Sequence, residues 1–194
     1  MRARDCRKLM GRWRREGVFD LLLPEVAVLR GVPQPEDYHA EGDVFTHTML
    51  ALEVVDGDAD QRVFWGVLLH DIGKASTTAF INGRWRAHGH AEAGAELVPP
   101  IMKRIGFPEL AADVSWLVRH HLFHFSWHLH ENSRLTKNQW KFMEHPLFPL
   151  LLEVCFADAA GSAGSGDKGQ KISLIAEMFE EEVSGEKGRR TDFR

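Results

Sequence analysis

The run Val67-Leu68-Leu69-His70-Asp71-Ile72-Gly73-Lys74 constrains this chain more than any other stretch. Residues 63–69 are apolar, so they carry the backbone into an interior and deliver a histidine and a carboxylate there side by side. A carboxylate at the end of such a run is costly to bury unless a cation or hydrogen-bond donors meet it. His70 and Asp71 together offer one neutral nitrogen and one anionic oxygen, a mixed set that suits Zn, Fe, Mn or Ni. Taken alone, the same residues also describe a helix C-terminus with Gly73 as its αL cap.

The remaining composition narrows the class. A chain of 194 residues with 44% hydrophobic and 27% charged side chains is long enough for one domain with a sizeable core. A net charge of −4 provides no global basic field for nucleic acid. Cys6 and Cys155 are too few for a disulfide framework and suit a reducing compartment or core filling. No run approaches the roughly 18 apolar residues of a membrane span. Met1-Arg2-Ala3-Arg4-Asp5 lacks an apolar signal region, so a cytoplasmic location without membrane contact is expected. Histidine is the anomaly: there are 11, and most fall between His39 and His130.

Helical periodicity recurs along the chain. Residues 2–16 read as a basic helix, with Cys6, Leu9, Met10 and Trp13 on one face among seven basic residues, Arg2 to Arg15. That surface suits an acidic partner such as RNA, or is a solvated face. An apolar segment at 18–29 is interrupted by Pro24, and Gly31-Val32-Pro33-Gln34-Pro35 reads as a loop. Asp43 is a candidate N-cap for a helix at 44–55 that turns His47 inward with Val44, Ala51 and Val54. Asp60 can cap the helix ending at His70-Asp71. Asn82-Gly83 between aromatic and β-branched residues predicts a two-residue hairpin near 78–87. The next helix starts near His88 or His90, with His90, Gly94, Leu97 and Ile101 on one face, and Pro99-Pro100 is expected to kink or split it. A helix at 108–122 puts His121 on its apolar face with His120 beside it. Residues 123–135, rich in histidine and aromatics, read as irregular and suit either base stacking or a satellite core. Thr136 caps a short helix. Pro146 starts another that runs to about Ala160, with Asp158 as the one charge on an apolar stripe. Residues 161–166 read as a flexible loop, 170–183 as an amphipathic helix, and 184–194 as a frayed polar tail.

Four helices thus each direct ligand-type residues inward: His47, His70 with Asp71, His90, and His120 with His121. A fifth adds Asp158. Buried imidazoles and carboxylates need partners. A shared metal centre supplies all of them at once.

The order His47, His70-Asp71, Asp158 resembles the H…HD…D ligand set of the HD superfamily of metal-dependent phosphohydrolases. Leu23-Pro24-Glu25, the 31–35 loop, Gly42-Asp43-Val44-Phe45-Thr46-His47-Thr48, Leu69-His70-Asp71-Ile72-Gly73-Lys74 and Gly89-His90 resemble the HD domain of bacterial tRNA nucleotidyltransferases, the CCA-adding enzymes, over about residues 18–160. The resemblance implies an all-α helical bundle with one small hairpin. With the helical periodicity at either end, a single HD domain over residues 1–183 is expected: a basic N-terminal helix at 1–17, the core at about 18–160, and a C-terminal helix at 170–183, followed by the polar tail at 184–194. The resemblance implies one or two divalent transition ions (Fe, Mn, Ni or Zn). His47, His70, Asp71 and Asp158 are the expected ligands of the first, and His90, His120 and His121 match residues of the two-metal members. No Gly-Ser motif followed by DxD on a strand is found, so nucleotide addition is not expected. No GYP signature follows His120-His121, so the cyclic-dinucleotide branch is not expected either.

The activity this implies is hydrolysis of a nucleotide or small phosphate ester, with 2′,3′-cyclic phosphodiesters and 2′-phosphates as candidate substrates. His70 and Asp71 are the expected catalytic residues, and Asp71 is the natural bridge between two ions. Lys74 is expected to meet a phosphate as a point charge. Arg84 and Arg86 on the hairpin are expected to assist, or else to form a solvated strand face. The alternative is a non-catalytic metal-containing binding or regulatory module that contacts tRNA through residues 2–15.

Overall fold

The computed structural model describes residues 1–35, 37, 40–129, 134–162 and 168–191. It is a helical fold with one two-stranded hairpin, as expected. The elements are α1 (Ala3–Arg15), α2 (Phe19–Leu22), α3 (Pro24–Ala27), α4 (Val44–Glu53), α5 (Gln61–Leu69), α6 (Lys74–Thr77), β1 (Thr78–Ile81), β2 (Arg84–Ala87), α7 (His90–Arg104), α8 (Ala111–His120), α9 (Lys137–Met143), α10 (Phe148–Gly161) and α11 (Lys168–Thr191). Short 3-10 turns at Pro108–Leu110 and Phe123–Ser126 precede and follow α8. No helix among the described residues is long and apolar enough to cross a membrane.

Local chemistry sets most of the boundaries. Asp43 accepts the Thr46 amide and Asp60 the Arg62 amide, so both expected N-caps are made. Thr136 and Gln139 close a capping box on α9. Pro24 interrupts the 18–29 segment by opening α3 at its first position. Asn82 and Gly83 take φ of 50° and 77°, the positive pair that a two-residue I′ hairpin requires. Pro99-Pro100, in contrast, does not split α7. Pro99 cannot donate to the Ala95 carbonyl four residues back, and the Ser115 hydroxyl of α8 donates to that carbonyl instead, at 2.8 Å. On α11, Ile172 and Ile175 are buried, and the helix continues to Thr191 rather than ending near 183. Residues 163–166 of the expected loop, and His130 of the aromatic segment, lie outside the described residues.

The N-terminal helix serves the fold. Ala3, Cys6, Met10 and Trp13 are buried, and Trp13 meets Trp65 of α5 at 6.2 Å between ring centroids. Arg7 donates to the Leu52 and Val55 carbonyls at 2.8 Å each and so closes the C-terminal end of α4. Arg4 pairs with Asp58, Arg12 with Glu16, and Arg14 reaches the Met49 sulfur. These arginines keep exposed side chains while pairing within the chain.

Two glycines let helices cross close to the ligand residues. A Cβ on Gly161 would lie 2.7 Å from the Ala51 nitrogen, so α10 and α4 touch backbone to backbone. That contact is one turn from both His47 and Asp158. A Cβ on Gly73 would lie 2.1 Å from the His90 carbonyl oxygen and 2.7 Å from the Gly94 nitrogen. Gly73 has φ −67°, so it is not the αL cap of α5; it is small because α7 rests on it. Gly73→Ala is expected to cost more than the roughly 1–3 kcal/mol typical of overpacking, because the obstruction is backbone on both sides. Thermal unfolding measures it. A melting temperature within about 2 °C of wild type would contradict the close-approach account.

Candidate metal centre

Residues from five elements or their ends converge on Asp71. His47 comes from α4, His70 and Asp71 from the end of α5, His90 from the first residue of α7, His121 from the end of α8, and Asp158 from α10. All six are buried. His47 Nε2 lies 3.0 Å from Asp158 Oδ1 and 4.0 Å from Asp71 Oδ2, and His70 Nε2 lies 3.1 Å from Asp71 Oδ2 and 3.8 Å from Asp158 Oδ1. On the other side of the same carboxylate, Asp71 Oδ1 lies 3.3 Å from His90 Nε2 and 3.9 Å from His121 Nε2. His47, His70 and Asp71 form one set of ligand atoms within 4.8 Å of one another, and Asp71, His90 and His121 form another. Asp71 belongs to both.

The far side of each ring explains what the near side can do. Nδ1 of His70, His90 and His121 lies 2.7 Å from the carbonyl oxygens of Val67, Ala87 and Val118, each three residues back. A carbonyl only accepts, so in each ring Nδ1 carries the proton and donates. In the neutral imidazole Nε2 is then a bare lone pair aimed at the centre. His90 Nε2 and His121 Nε2 are only 3.3 Å apart, and two lone pairs cannot hydrogen-bond to each other. Among the described residues, His70 Nε2 and Asp71 Oδ2 are buried without a hydrogen bond in acceptable geometry. The cation nearest Asp71 is Lys74, whose Nζ lies 2.7 Å from Asp71 Oδ2, too poorly aligned for a hydrogen bond but a close ion pair. Electron-pair donors thus crowd one point with a single lysine among them, a donor set that fits a divalent metal.

The electrostatics follow from the same crowding. Burial works against the charged form of Asp71, but the adjacent His70 ring and the Lys74 ammonium outweigh it and hold the carboxyl well below the usual range. Burial lowers His121 to about 3, helped by His70 and His90, so its imidazole is neutral near pH 7. For His47 burial also opposes the charge, yet the bond to Asp158 and the charges of Asp71 and Asp158 prevail and raise it. For the metal-free chain the signs give a stability maximum near neutrality. A depressed histidine such as His121 costs stability as pH falls from 6.5 toward 3, by up to about 1.4 kcal/mol per unit. A raised one such as His47 loses its contribution as pH climbs above 6.5. Asp71 adds a further loss below 3.8, as pH falls toward its folded value. Chemical denaturation of chelator-treated protein across pH 4–9, roughly the span of these groups, checks this; a flat profile would contradict it.

A family model for the HD domain matches residues 44–160. The chain belongs to the HD domain family. That places it in a superfamily of metal-dependent phosphohydrolases. Curated relatives include the multifunctional CCA protein of Alkalilimnicola ehrlichii, 37% identical over 157 residues, covering 78% of this chain and 38% of that protein. The multifunctional CCA protein of Halorhodospira halophila is 34% identical over 171 residues, 81% of this chain and 39% of its own length. That of Neisseria meningitidis is 37% identical over 163 residues, with the same two shares. This HD chain therefore spans under two fifths of the relatives it matches.

Not every residue expected at the site reaches it. His120 turns away: its ring packs on Trp116 at 4.6 Å and on Phe142 at 5.3 Å. Consecutive helical residues point about 100° apart, so His120 and His121 cannot both meet Asp71. Arg84 is exposed and paired with Asp37, whereas Arg86, two residues on, lines the cavity beside the cluster. Lys74 meets Asp71 and also donates to Gln34 Oε1 at 2.8 Å. Phe123 packs on Phe148 and Trp127, as a satellite core would, while Phe125 reaches the cavity.

Sequence periodicity missed Glu41. Its carboxylate, 2% exposed, accepts from His47 Nδ1 at 2.9 Å and orients that ring toward Asp158. Glu41 sits in a loop, where no helical phase marks a residue as inward; an acidic residue just ahead of the capped His47 helix was the only signal.

Proposed function

We propose that the chain is a metal-dependent phosphohydrolase acting on nucleotide phosphate esters. His47, His70, Asp71 and Asp158 hold one divalent transition ion, and Asp71, His90 and His121 hold a second. The observation that carries the reading is the convergence of Nε2 lone pairs and carboxylate oxygens on Asp71, with His90 and His121 facing each other at 3.3 Å. An ion held there supplies a water acidified toward neutral pH and positive charge against a phosphate oxygen. The protein's own part is orientation. The three carbonyls and Glu41 fix the imidazoles, and burial keeps bulk water off Asp71. Lys74, 13% exposed at the cavity floor, places a positive charge where a phosphate would rest. The CCA relatives favour a substrate from tRNA end chemistry, so 2′,3′-cyclic and 2′-phosphates are the first candidates. Two buried cysteines without a disulfide fit the cytoplasm.

The test is a panel of 2′,3′-cyclic nucleotides, 2′-nucleotides and an aryl phosphodiester, each with Ni, Mn, Fe or Zn. Metal-stimulated hydrolysis of at least one is expected. No turnover on any, with metal demonstrably bound, would overturn the enzymatic reading and favour a binding module. Lys74→Met should lower turnover by about 100-fold while metal stays bound, since one charge contact is lost and the ligands remain. Glu41→Ala should weaken metal binding by about 10- to 100-fold in chelator competition, with Glu41→Gln between it and wild type. Equal affinity in all three proteins would show that Glu41 does not position His47.

A further inference from the structure

A cavity of about 510 Å³ opens onto the centre, within the range of small-molecule sites. Beside the metal-site residues, its lining carries features the fold does not use. Gln34 is 94% buried; its Oε1 accepts from Lys74, but its Nε2 has no hydrogen-bond partner among the described residues. Thr78 Oγ1 is likewise buried without a partner among the described residues. Both residues line the cavity. Buried amide and hydroxyl groups are rarely left unsatisfied, and when they are, a bound ligand is one of the few accounts.

The hairpin supplies the second feature. The β1–β2 register pairs Thr78 with Ala87 and Phe80 with Trp85, so these four side chains share one face of the ribbon. Thr78, Trp85 and Ala87 of that face line the cavity. Trp85 is 38% exposed and is braced edge-to-face by Phe80 at 5.1 Å, itself 62% exposed. An exposed aromatic pair on the cavity side of a two-stranded hairpin adds nothing to the core, but it is a platform on which a planar ring can stack. Phe125, 49% exposed, adds a further aromatic surface to the same cavity.

We propose that Gln34, Thr78 and Trp85 form the specificity subsite of this centre, selecting phosphate esters that carry a nucleobase. This rests on the phosphohydrolase reading for the position of the phosphate. The phosphate lies toward Lys74 and the ligand cluster, the Gln34 amide and Thr78 hydroxyl meet oxygens of the phosphate or sugar, and the base stacks on Trp85. Small phosphate esters without an aromatic group fit the floor but leave the platform bare, so they bind weakly. Specificity then comes from the hairpin, and chemistry from the helices.

The experiment has a kinetic arm and a binding arm on the full chain. In the first, adenosine 2′-monophosphate is compared with glycerol 2-phosphate. The nucleotide should be preferred in kcat/KM by wild type, and Trp85→Ala should collapse that preference through a roughly ten-fold rise in nucleotide KM, within what one stacked base contributes. Trp85→Phe should restore most of it. Thr78→Val should raise the nucleotide KM several-fold. In the second arm, calorimetry measures adenosine 2′-monophosphate binding without turnover, and Trp85→Ala should weaken it about ten-fold. Because Trp85 is exposed, its melting temperature serves as a control for folding. Equal preference for both esters, or nucleotide affinity indifferent to Trp85, overturns the subsite and leaves the phosphohydrolase reading standing. Nucleotide binding that depends on Trp85 but is never followed by hydrolysis supports the subsite and overturns the enzymatic reading. Wild type that binds no nucleotide at all also overturns the subsite.

Discussion

Asp71→Ala is expected to bring hydrolysis to background and to abolish metal binding at both proposed positions. Asp71 is the one side chain common to the two ligand sets: Oδ2 faces His70 and His47, and Oδ1 faces His90 and His121. A single-ion variant is therefore not what this substitution produces. Turnover should fall by at least about 1,000-fold, since the acidified water is lost together with the charge opposite the phosphate. His121→Ala supplies the contrast, because its Nε2 belongs only to the second set. Elemental analysis should show that His121→Ala keeps about one equivalent and that Asp71→Ala keeps none. Retention of two equivalents in Asp71→Ala would mean that the ions sit elsewhere.

Chelation should produce the largest change in stability. An ion that binds only the native state stabilises by mass action, by about 4 kcal/mol at a thousand times its dissociation constant. For a chain of this size that corresponds to a melting shift on the order of 10 °C. Wild type should lose this on treatment with a strong chelator and regain it with Mn or Ni. Asp71→Ala should not respond, having nothing to lose. Equal shifts in both proteins would place the stabilising ion outside the centre.

The parts of this centre that were legible in the sequence are those governed by helical phase. His47, Asp158 and His121 lie on apolar faces whose spacing can be counted, and His70-Asp71 ends an apolar run. The hairpin was legible because Asn82-Gly83 leaves the backbone few alternatives. What stayed hidden depends on contacts distant in sequence. Helical phase put His121 on the apolar face, but it did not show that His120 beside it packs on Trp116 and Phe142 instead of joining the cluster. Pro99-Pro100 looks like a break until Ser115 of the neighbouring helix takes over the Ala95 carbonyl. Glu41 and Gln34 lie in loops, where direction has no period. Gly73 looks like a cap and proves to be a crossing point, because the sequence does not record that α7 returns to rest on it.

Anomalous diffraction from crystals grown with Mn tests the central claim most directly. The account predicts a peak held by His47, His70, Asp71 and Asp158, and a second held by Asp71, His90 and His121, with the Asp71 carboxylate between them. Crystals from Mn-saturated protein with no anomalous peak at these side chains, and Lys74 still paired to Asp71, would contradict it.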